Sequence, residues 1–341
     1  MRPTVHHVAE EAGVSLATVD RVLNRRPGVR AKTVTRVNEA IAKLGYVRDI
    51  SAANLAKQRV YNLVFIIPEG PNSFMLGLES ELGQAKLYSA LERINLDILK
   101  VRAFDSDALA NVLDGLDLTQ ISGVALVATE SHRVQGALAR LRQANIPVVT
   151  LVSDVSAAHR DHYVGIDNVA AGRTAASLMG RFVGHKPGKI ALLAGSMLVR
   201  DHVERRIGFE QVISAEFPEL DCLTVQEGRD DAMVTRSVLA DFLGREPGIV
   251  GLYSIGAGNR GVIDVLTSKP EYGSIAVVAH ELTEHSKRAL REGVFDAVIN
   301  QDAGHEVRSA IRLLKASIDE TQVIAKQEII RIEIYIRDNL P

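Results

Sequence analysis

The sequence predicts a small all-α headpiece followed by an α/β body whose parallel strands form two doubly wound sheets. Three observations support this. Residues 5–24, VHHVAEEAGVSLATVDRVLN, place two short amphipathic helices around a glycine turn. From Asn62 onward, apolar runs of strand length alternate with helical segments, the pattern of parallel strands covered on both faces. About ten such runs favour two sheets over one.

In the headpiece, Val5, Val8, Ala9 and Ala12 share one helical face, and Gly13 is placed to end that helix. Ser15 is placed to cap a second helix in which Val19, Val22 and Leu23 turn inward. Leu16, Ala17, Thr18, Asp20 and Arg21 then face outward. Such a pair is either a plain αα-hairpin or a helix-turn-helix, whose second helix fits a DNA major groove. The turn Arg25-Arg26-Pro27-Gly28-Val29-Arg30 follows, and Arg25, Arg26, Arg30 and Lys32 suit phosphate contacts or simply solvent. A third helix is expected over residues 33–44, with Val34, Val37, Ile41 and Leu44 as its apolar stripe and Gly45-Tyr46 closing it. Residues 50–57, ISAANLAK, are helix-compatible but too short to be stable alone, so they read as a linker.

In the body, strands are expected at 62–67, 96–101, 123–128, 147–152, 189–194, 248–253, 275–279 and 297–300, with a final strand within 324–336. Helices are expected at 74–93, 133–144, 169–184, 201–217, 230–243, 284–292 and 306–317. A polar stretch without periodicity at 156–161 marks a break.

Composition sets bounds. The 341 residues are 46% hydrophobic and 24% charged, an ordinary globular profile. No apolar run approaches bilayer length, so no membrane is expected, and the start MRPTVHH lacks the apolar core of a signal peptide. A single cysteine, Cys222, excludes an internal disulfide framework and suits a reducing cytoplasm. Residues 1–60 hold 11 Lys/Arg against 5 Asp/Glu, whereas the remainder holds 29 against 37. A basic module on an acidic body points to an anionic partner for the module alone.

Val8-Ala9, Ala12-Gly13-Val14-Ser15, Thr18-Val19 and Arg21-Val22-Leu23-Asn24 closely follow a pattern near VAxxAGVSxxTVSRVLN. In this the chain resembles the LacI-type family of transcriptional repressors. Asp20 departs from the pattern, standing where the family usually has Ser; a carboxylate there is either repelled by phosphates or accepts from cytosine N4. The resemblance implies that Leu16, Ala17 and Arg21 face bases, while Ser15, Thr18, Asn24 and the 25–32 turn hold the backbone. Residues 50–57 become a hinge that orders on DNA, with Ala52 at a family position and Leu55 as the minor-groove wedge. Arg48-Asp49 replaces the usual Pro-Asn before it. The body is then a two-lobed, type I periplasmic-binding-protein-like domain. The implied boundaries are 1–48 for the headpiece, 49–60 for the hinge and 61–341 for the effector domain. Its N-lobe takes about 61–160 and 302–320, its C-lobe about 161–301 and 321–341.

Ligands of such α/β lobes sit at strand carboxyl ends, in the cleft. Asn72 and Phe74 stand where related sugar binders place an amide and a stacking aromatic, though a polar loop and a helix-starting Phe read equally well. Ser153 and Asp154 end a strand, Tyr253 ends another, and Asp167-Asn168 read as a helix cap. Arg205 begins Arg205-Arg206-Ile207-Gly208-Phe209, matching the family's RxxGF, whose arginine reaches a hydroxyl pair or carboxylate. Glu281 replaces the family's Asp, and Gln301 or Asp302 follows the next strand.

Two other motifs compete. Gly256-Ala257-Gly258-Asn259-Arg260-Gly261 is a GxGxxG after a strand, with Glu281 twenty residues beyond, which is a dinucleotide-binding context. It falls late, after several complete βα units. His280-Glu281-Leu282-Thr283-Glu284-His285 spaces its histidines at i and i+5, off a shared helical face, so no metal site is expected.

The resulting expectation is a cytoplasmic, dimeric regulator that binds a near-palindromic double-stranded DNA operator. A sugar, polyol or sugar derivative acts as effector, and neither a cofactor nor catalysis is involved. The end at Pro341 without a leucine heptad tail favours a dimer over a tetramer. The alternative is a nicotinamide-dinucleotide-binding redox sensor or dehydrogenase using the 256–261 loop.

Overall fold

The structure, a computed structural model, describes residues 3–24, 26–46, 59–184 and 186–341. Arg25, Ala52 and Leu55 lie outside the described residues. The chain forms two compact units, Met1–Arg59 and Val60–Pro341.

The first unit holds α1 (Val5–Ala12), α2 (Leu16–Leu23) and α3 (Ala31–Leu44). Gly13 ends α1 in the left-handed conformation at φ 60°, where a side chain would be strained, and Gly45 ends α3 in the same way at φ 59°. The Ser15 hydroxyl accepts from the Thr18 amide at 3.2 Å, which starts α2. Val8, Ala9, Ala12, Val19, Val37 and Ala40 form the core, with Val22, Leu23, Ile41 and Leu44 half-buried against it. Lys43 pairs with Glu11 at 2.6 Å, tying α3 to α1.

The second unit begins with β1 (Tyr61–Glu69), α4 (Ser73–Ser89), β2 (Ile94–Arg102), α5 (Ser106–Asp114), β3 (Gly123–Leu126), α6 (His132–Gln143), β4 (Val148–Leu151) and β5 (His162–Val164). These strands make a parallel sheet in the order β2-β1-β3-β4-β5. Next come α7 (Asn168–Val183), β6 (Gly188–Ala194), α8 (Arg200–Glu216), β7 (Leu220–Cys222), β8 (Gln226–Glu227), α9 (Ala232–Arg245) and β9 (Ile249–Ser254). The series closes with α10 (Asn259–Leu266), β10 (Ala276–His280), α11 (Glu284–Arg291), β11 (Ala297–Asn300), α12 (Ala303–Asp319) and β12 (Glu333–Tyr335). The second sheet runs β12-β11-β10-β9-β6-β7, parallel except for the antiparallel β12, with β8 beside β6. The strands read as near-continuous apolar runs because helices bury both faces.

Helix α12 returns to the first sheet. It packs on α4, β3 and β4, and Asp319 accepts from the Tyr61 hydroxyl at 2.7 Å. The chain thus passes between lobes after β5, after β11 and again before β12. The first crossing falls beyond residue 160, because His162–Val164 still pairs with β4. The 156–161 stretch is therefore the lead-in to a short edge strand. Helix α5 escapes the apolar-run reading because it is short, although Asp105 caps it and Leu109, Ala110 and Leu113 bury its inner face. Of the 324–336 stretch, only Glu333–Tyr335 is strand.

Helices α7 and α8 cross closely. A Cβ on Gly172 would lie 1.9 Å from the Arg205 carbonyl oxygen, and one on Gly208 2.1 Å from that of Val169. This is why the RxxGF segment needs its glycine. It also fixes Arg205 at the base of the space between the two sheets.

Candidate functional site

Helix α2 presents Leu16, Ala17, Asp20 and Arg21 to solvent, with Leu16 41% exposed. Ser15 and Thr18 satisfy one another, their hydroxyl oxygens 2.9 Å apart. Asp20 is held within the module: its Oδ1 accepts from the Asn24 side-chain amide at 2.7 Å, and its Oδ2 lies 3.4 Å from an Arg26 nitrogen. Arg30 is exposed at the start of α3. The face is cationic and sterically open, and part of its charge is balanced by Asp20.

In the second unit a cleft opens where the carboxyl ends of both sheets meet. Its lining includes Asn72, Phe74, Ser153, Arg205, Glu281 and Gln301. Arg205 lies at its base, 2% exposed. Its Nε donates to Asn168 Oδ1 at 2.8 Å and its Nη1 to the Ile255 carbonyl at 2.9 Å. Its Nη2 has no hydrogen-bond partner and stands 3.8 Å from Glu281 Oε1. Gln301 donates to the same Glu281 oxygen at 2.8 Å. Burial pushes the Glu281 carboxyl up to about 7, against the opposing pull of Arg205. Asp167 caps α7 through the Ala170 amide, whereas Asn168, buried, positions Arg205.

Buried polar atoms without partners converge here. Ser153 Oγ, Asp201 Oδ1, Arg205 Nη2, Glu281 Oε2 and Gln301 Oε1 are all orphaned, and all five residues line the cleft. Such groups carry a desolvation cost until something bonds them. Backbone strain gathers at the same place. Among the described residues, eight non-glycine residues have positive φ, and five of them (Phe104, Val152, Arg229, Asp230 and Glu281) line the cleft. Val152 is β-branched and its φ of 62° is a steric outlier; the turn it makes aims Ser153 inward.

Three sequence expectations need correction. Asp154 does not face the cleft: its carboxylate accepts from Thr150, from the Val155 amide and twice from Arg160, at 2.6–2.8 Å, so its capacity is spent. Tyr253 is fully buried, its ring stacked 4.5 Å from Phe209 and its hydroxyl 2.8 Å from His280 Nε2. It is core. Nor is the 256–261 loop a phosphate cradle. Cβ atoms on Gly256, Gly258 and Gly261 would meet His202 Nε2 at 2.8 Å, Thr235 Oγ1 at 2.4 Å and the Ala232 carbonyl at 2.2 Å. The Ala257 amide already donates to Asp230 at 2.9 Å. Gly258 and Gly261 let α9 and α10 pack closely, and Gly256 lies against His202 of α8, which removes the basis of the dinucleotide alternative.

Sequence reading missed Phe104, Asp201, His202 and Asp230. Asp201 sits one turn before Arg205 and so shares its helix face, a spacing visible in the sequence. Phe104 and Asp230 stand in loops whose turn geometry no periodicity reveals.

The architecture defines a two-lobed α/β binding domain on a chain that also carries a helix-turn-helix module. The chain belongs to the periplasmic binding protein domain family, which matches residues 64–322. Residues 4–49 match the family of bacterial regulatory proteins, lacI family. Among curated relatives, catabolite control protein A of Streptococcus mutans serotype c is 29% identical over 195 residues, 57% of this chain and 55% of that protein. The protein of the same name from Staphylococcus epidermidis is 26% identical over 225 residues, 65% and 64% of the two chains. The chain thus spans between half and two thirds of the length of these relatives. An ABC transporter solute binding protein from Burkholderia graminis C4D1M in complex with D-arabinose superposes with a TM-score of 0.73 at 21% identity, covering 82% of this chain and 96% of that one. GanP, a glucose-galactose binding protein from Geobacillus stearothermophilus, gives 0.73 at 18% identity, covering 83% and 99%. These likenesses show the fold. Among the described residues no helix is long and apolar enough to cross a membrane.

Proposed function

We propose that this protein is a cytoplasmic, non-catalytic transcriptional regulator. Its first unit binds a DNA operator, and its second binds a sugar-like effector between the lobes. The observation that carries this reading is the joining of a Ser15-capped, outward-facing α2 to a cleft with five orphaned polar side-chain atoms. Leu16 and Ala17 suit thymine methyl groups, and Arg21 suits a guanine edge. The relatives' printed name, catabolite control protein A, agrees with a regulator of carbon use, and the arabinose and glucose-galactose binders agree with a carbohydrate effector.

The reading includes a homodimer. Leu76, Gly77, Ser80, Gly83, Gln84, Leu87 and Tyr88 form an exposed, uncharged stripe along α4, continued by Leu91. Leu87 and Leu91 are 77% and 86% exposed. A face this apolar, with two glycines at which an added Cβ would meet nothing within 4 Å, suits a second copy. Paired headpieces imply a near-palindromic operator. The domain bounds 1–48, 49–60 and 61–341 follow the same reading.

Sedimentation equilibrium of the wild type and of Leu87→Glu, combined with fluorescence anisotropy on a mixed-sequence duplex, tests it. The expected result is a dimer that Leu87→Glu dissociates, with duplex binding that weakens steeply with salt. A monomeric wild type, or binding indifferent to salt, would contradict it.

A further inference from the structure

We infer that the cleft takes a hydroxyl-rich ligand bearing no anionic group, an unphosphorylated sugar or polyol, and rejects sugar phosphates and sugar acids. This deepens the carbohydrate reading of the cleft and rests on it.

The argument begins with Arg205, the buried cation at the base. Gripping a carboxylate or phosphate through an arginine fork takes two parallel N–H bonds from adjacent nitrogens. Here the Nε–H is committed to Asn168 and one Nη1–H to the Ile255 carbonyl, while Nη2 has no partner. That nitrogen already faces Glu281 at 3.8 Å. The side-on Nε/Nη2 fork is therefore closed, and the free Nη2 edge of Arg205 has the Glu281 carboxyl beside it.

The other orphaned atoms are mainly acceptors. Asp201 Oδ1, Glu281 Oε2 and Gln301 Oε1 each want a donor, and Ser153 Oγ serves either way. A polyol supplies several O–H donors and accepts once from Arg205. A phosphate or carboxylate supplies further acceptors against acceptors, and above about pH 7, where Glu281 is ionised, it also meets like charge there. Glu306, fully buried behind them with both oxygens unpartnered, adds no cation.

Backbone anion sites are closed as well. Helix α8 has no side-chain cap, but its first turn carries Asp201, which occupies the position an anion would favour. The α4 amides of Phe74 and Met75 are taken by Asn72, and the Ala257 amide by Asp230. His202 Nδ1 lies 2.9 Å from the Ser196 carbonyl, and its Nε2 lies 3.6 Å from Asp201. At the mouth, Arg229 and Glu69 are exposed and of opposite charge. Phe74 and Phe104 supply apolar surface for the C–H face of a sugar ring.

Titration calorimetry on the full chain tests the inference with matched sets. Glucose is compared with glucose 6-phosphate and glucuronate, galactose with galactose 1-phosphate and galacturonate, and ribose with ribose 5-phosphate; arabinose and glycerol are run as neutral probes. The expected result is binding of a neutral member, with its anionic counterpart weaker by about 100-fold or more. Equal or tighter binding of a phosphate or acid overturns the inference while leaving the carbohydrate reading in place. Binding of none of these sugars or polyols overturns the carbohydrate reading, and this inference with it. Glu281→Gln gives a second readout. At about pH 8, where Glu281 is ionised, removing that carboxylate should narrow the neutral-to-anionic ratio by about tenfold, and an unchanged ratio would contradict the charge argument.

Discussion

The side-chain amide of Asn72 donates to Asp230 Oδ2 at 2.8 Å, joining the two lobes across the cleft. Each partner is also tied into its own lobe. Asn72 Oδ1 accepts from the Phe74 and Met75 amides at the start of α4, and Asp230 Oδ1 accepts from the Ala257 amide. Asp230 and its neighbour Arg229 are consecutively left-handed, at φ 54° and 52°, a conformation that costs about 1–3 kcal/mol per residue. The carboxylate contacts offset part of that strain in the closed arrangement.

The contact should therefore hold the lobes together before any ligand enters. Asn72→Ser keeps an oxygen to cap α4 but removes the donor that reaches Asp230. Small-angle scattering of the ligand-free variant should show a larger radius of gyration than wild type. Asn72→Asp, which sets two carboxylates against each other, should enlarge it further. Scattering curves that superpose for all three proteins would show that the contact does not hold the cleft closed.

Glu281 gives a pH dependence of definite sign. Its folded-state value of about 7 lies above its unfolded value, so the native state binds the extra proton. Its contribution is complete below about pH 4.5 and is lost as pH rises towards 7, by about 3 kcal/mol at most. His280 works the other way. Burial holds it well below its usual value, so stability is lost as pH falls through the ordinary histidine range. Melting curves from pH 4.5 to 8 for wild type and Glu281→Gln separate the two. The difference should favour wild type at the acid end and shrink towards pH 7, and a flat difference would refute the assignment.

Asp20 draws on the Asn24 side-chain amide and on Arg26, a cation suited to phosphate. Asp20→Ser should release Arg26 and remove a repelling charge. Affinity for a mixed-sequence duplex should rise several-fold, and the salt dependence should steepen by about one phosphate contact. If Asp20 instead accepts from cytosine, the variant will lose affinity for cytosine-containing sites and gain little elsewhere.

Two glycines in helices make opposite predictions. Gly208→Ala puts a methyl 2.1 Å from the Val169 carbonyl and should cost about 1–3 kcal/mol by forcing α7 and α8 apart. Gly136, exposed within α6, has nothing within 4 Å of an added methyl, so Gly136→Ala should stabilise by about 0.5–1 kcal/mol. Denaturant unfolding of both variants checks the pair.

Much of this architecture is legible in the sequence because it rests on local periodicity. The headpiece shows Gly13, Ser15 and the inward Val8 and Val19, and the body shows its strands as apolar runs. Arg205 is also legible, through the resemblance of its segment to RxxGF, a pattern whose glycine lets its helix cross α7. Tyr253 misleads because a strand-end aromatic looks the same whether it meets a ligand or stacks on Phe209. Asp154 misleads because Arg160, which satisfies it, is reached only by a loop. The 256–261 glycines fit a phosphate motif in spacing, and only the packing of α8 and α9 shows what they accommodate. Asp230 and Phe104 depend on turn geometry, which carries no periodic signal.

The central claim is that α2 reads DNA as one half of a two-fold pair. Selection of wild-type protein on a pool of random-sequence duplexes, followed by sequencing, tests this most directly. The account predicts enrichment of an inverted repeat with half-sites at fixed spacing, abolished by Arg21→Ala. Enrichment of a single asymmetric site, or of none, would contradict it.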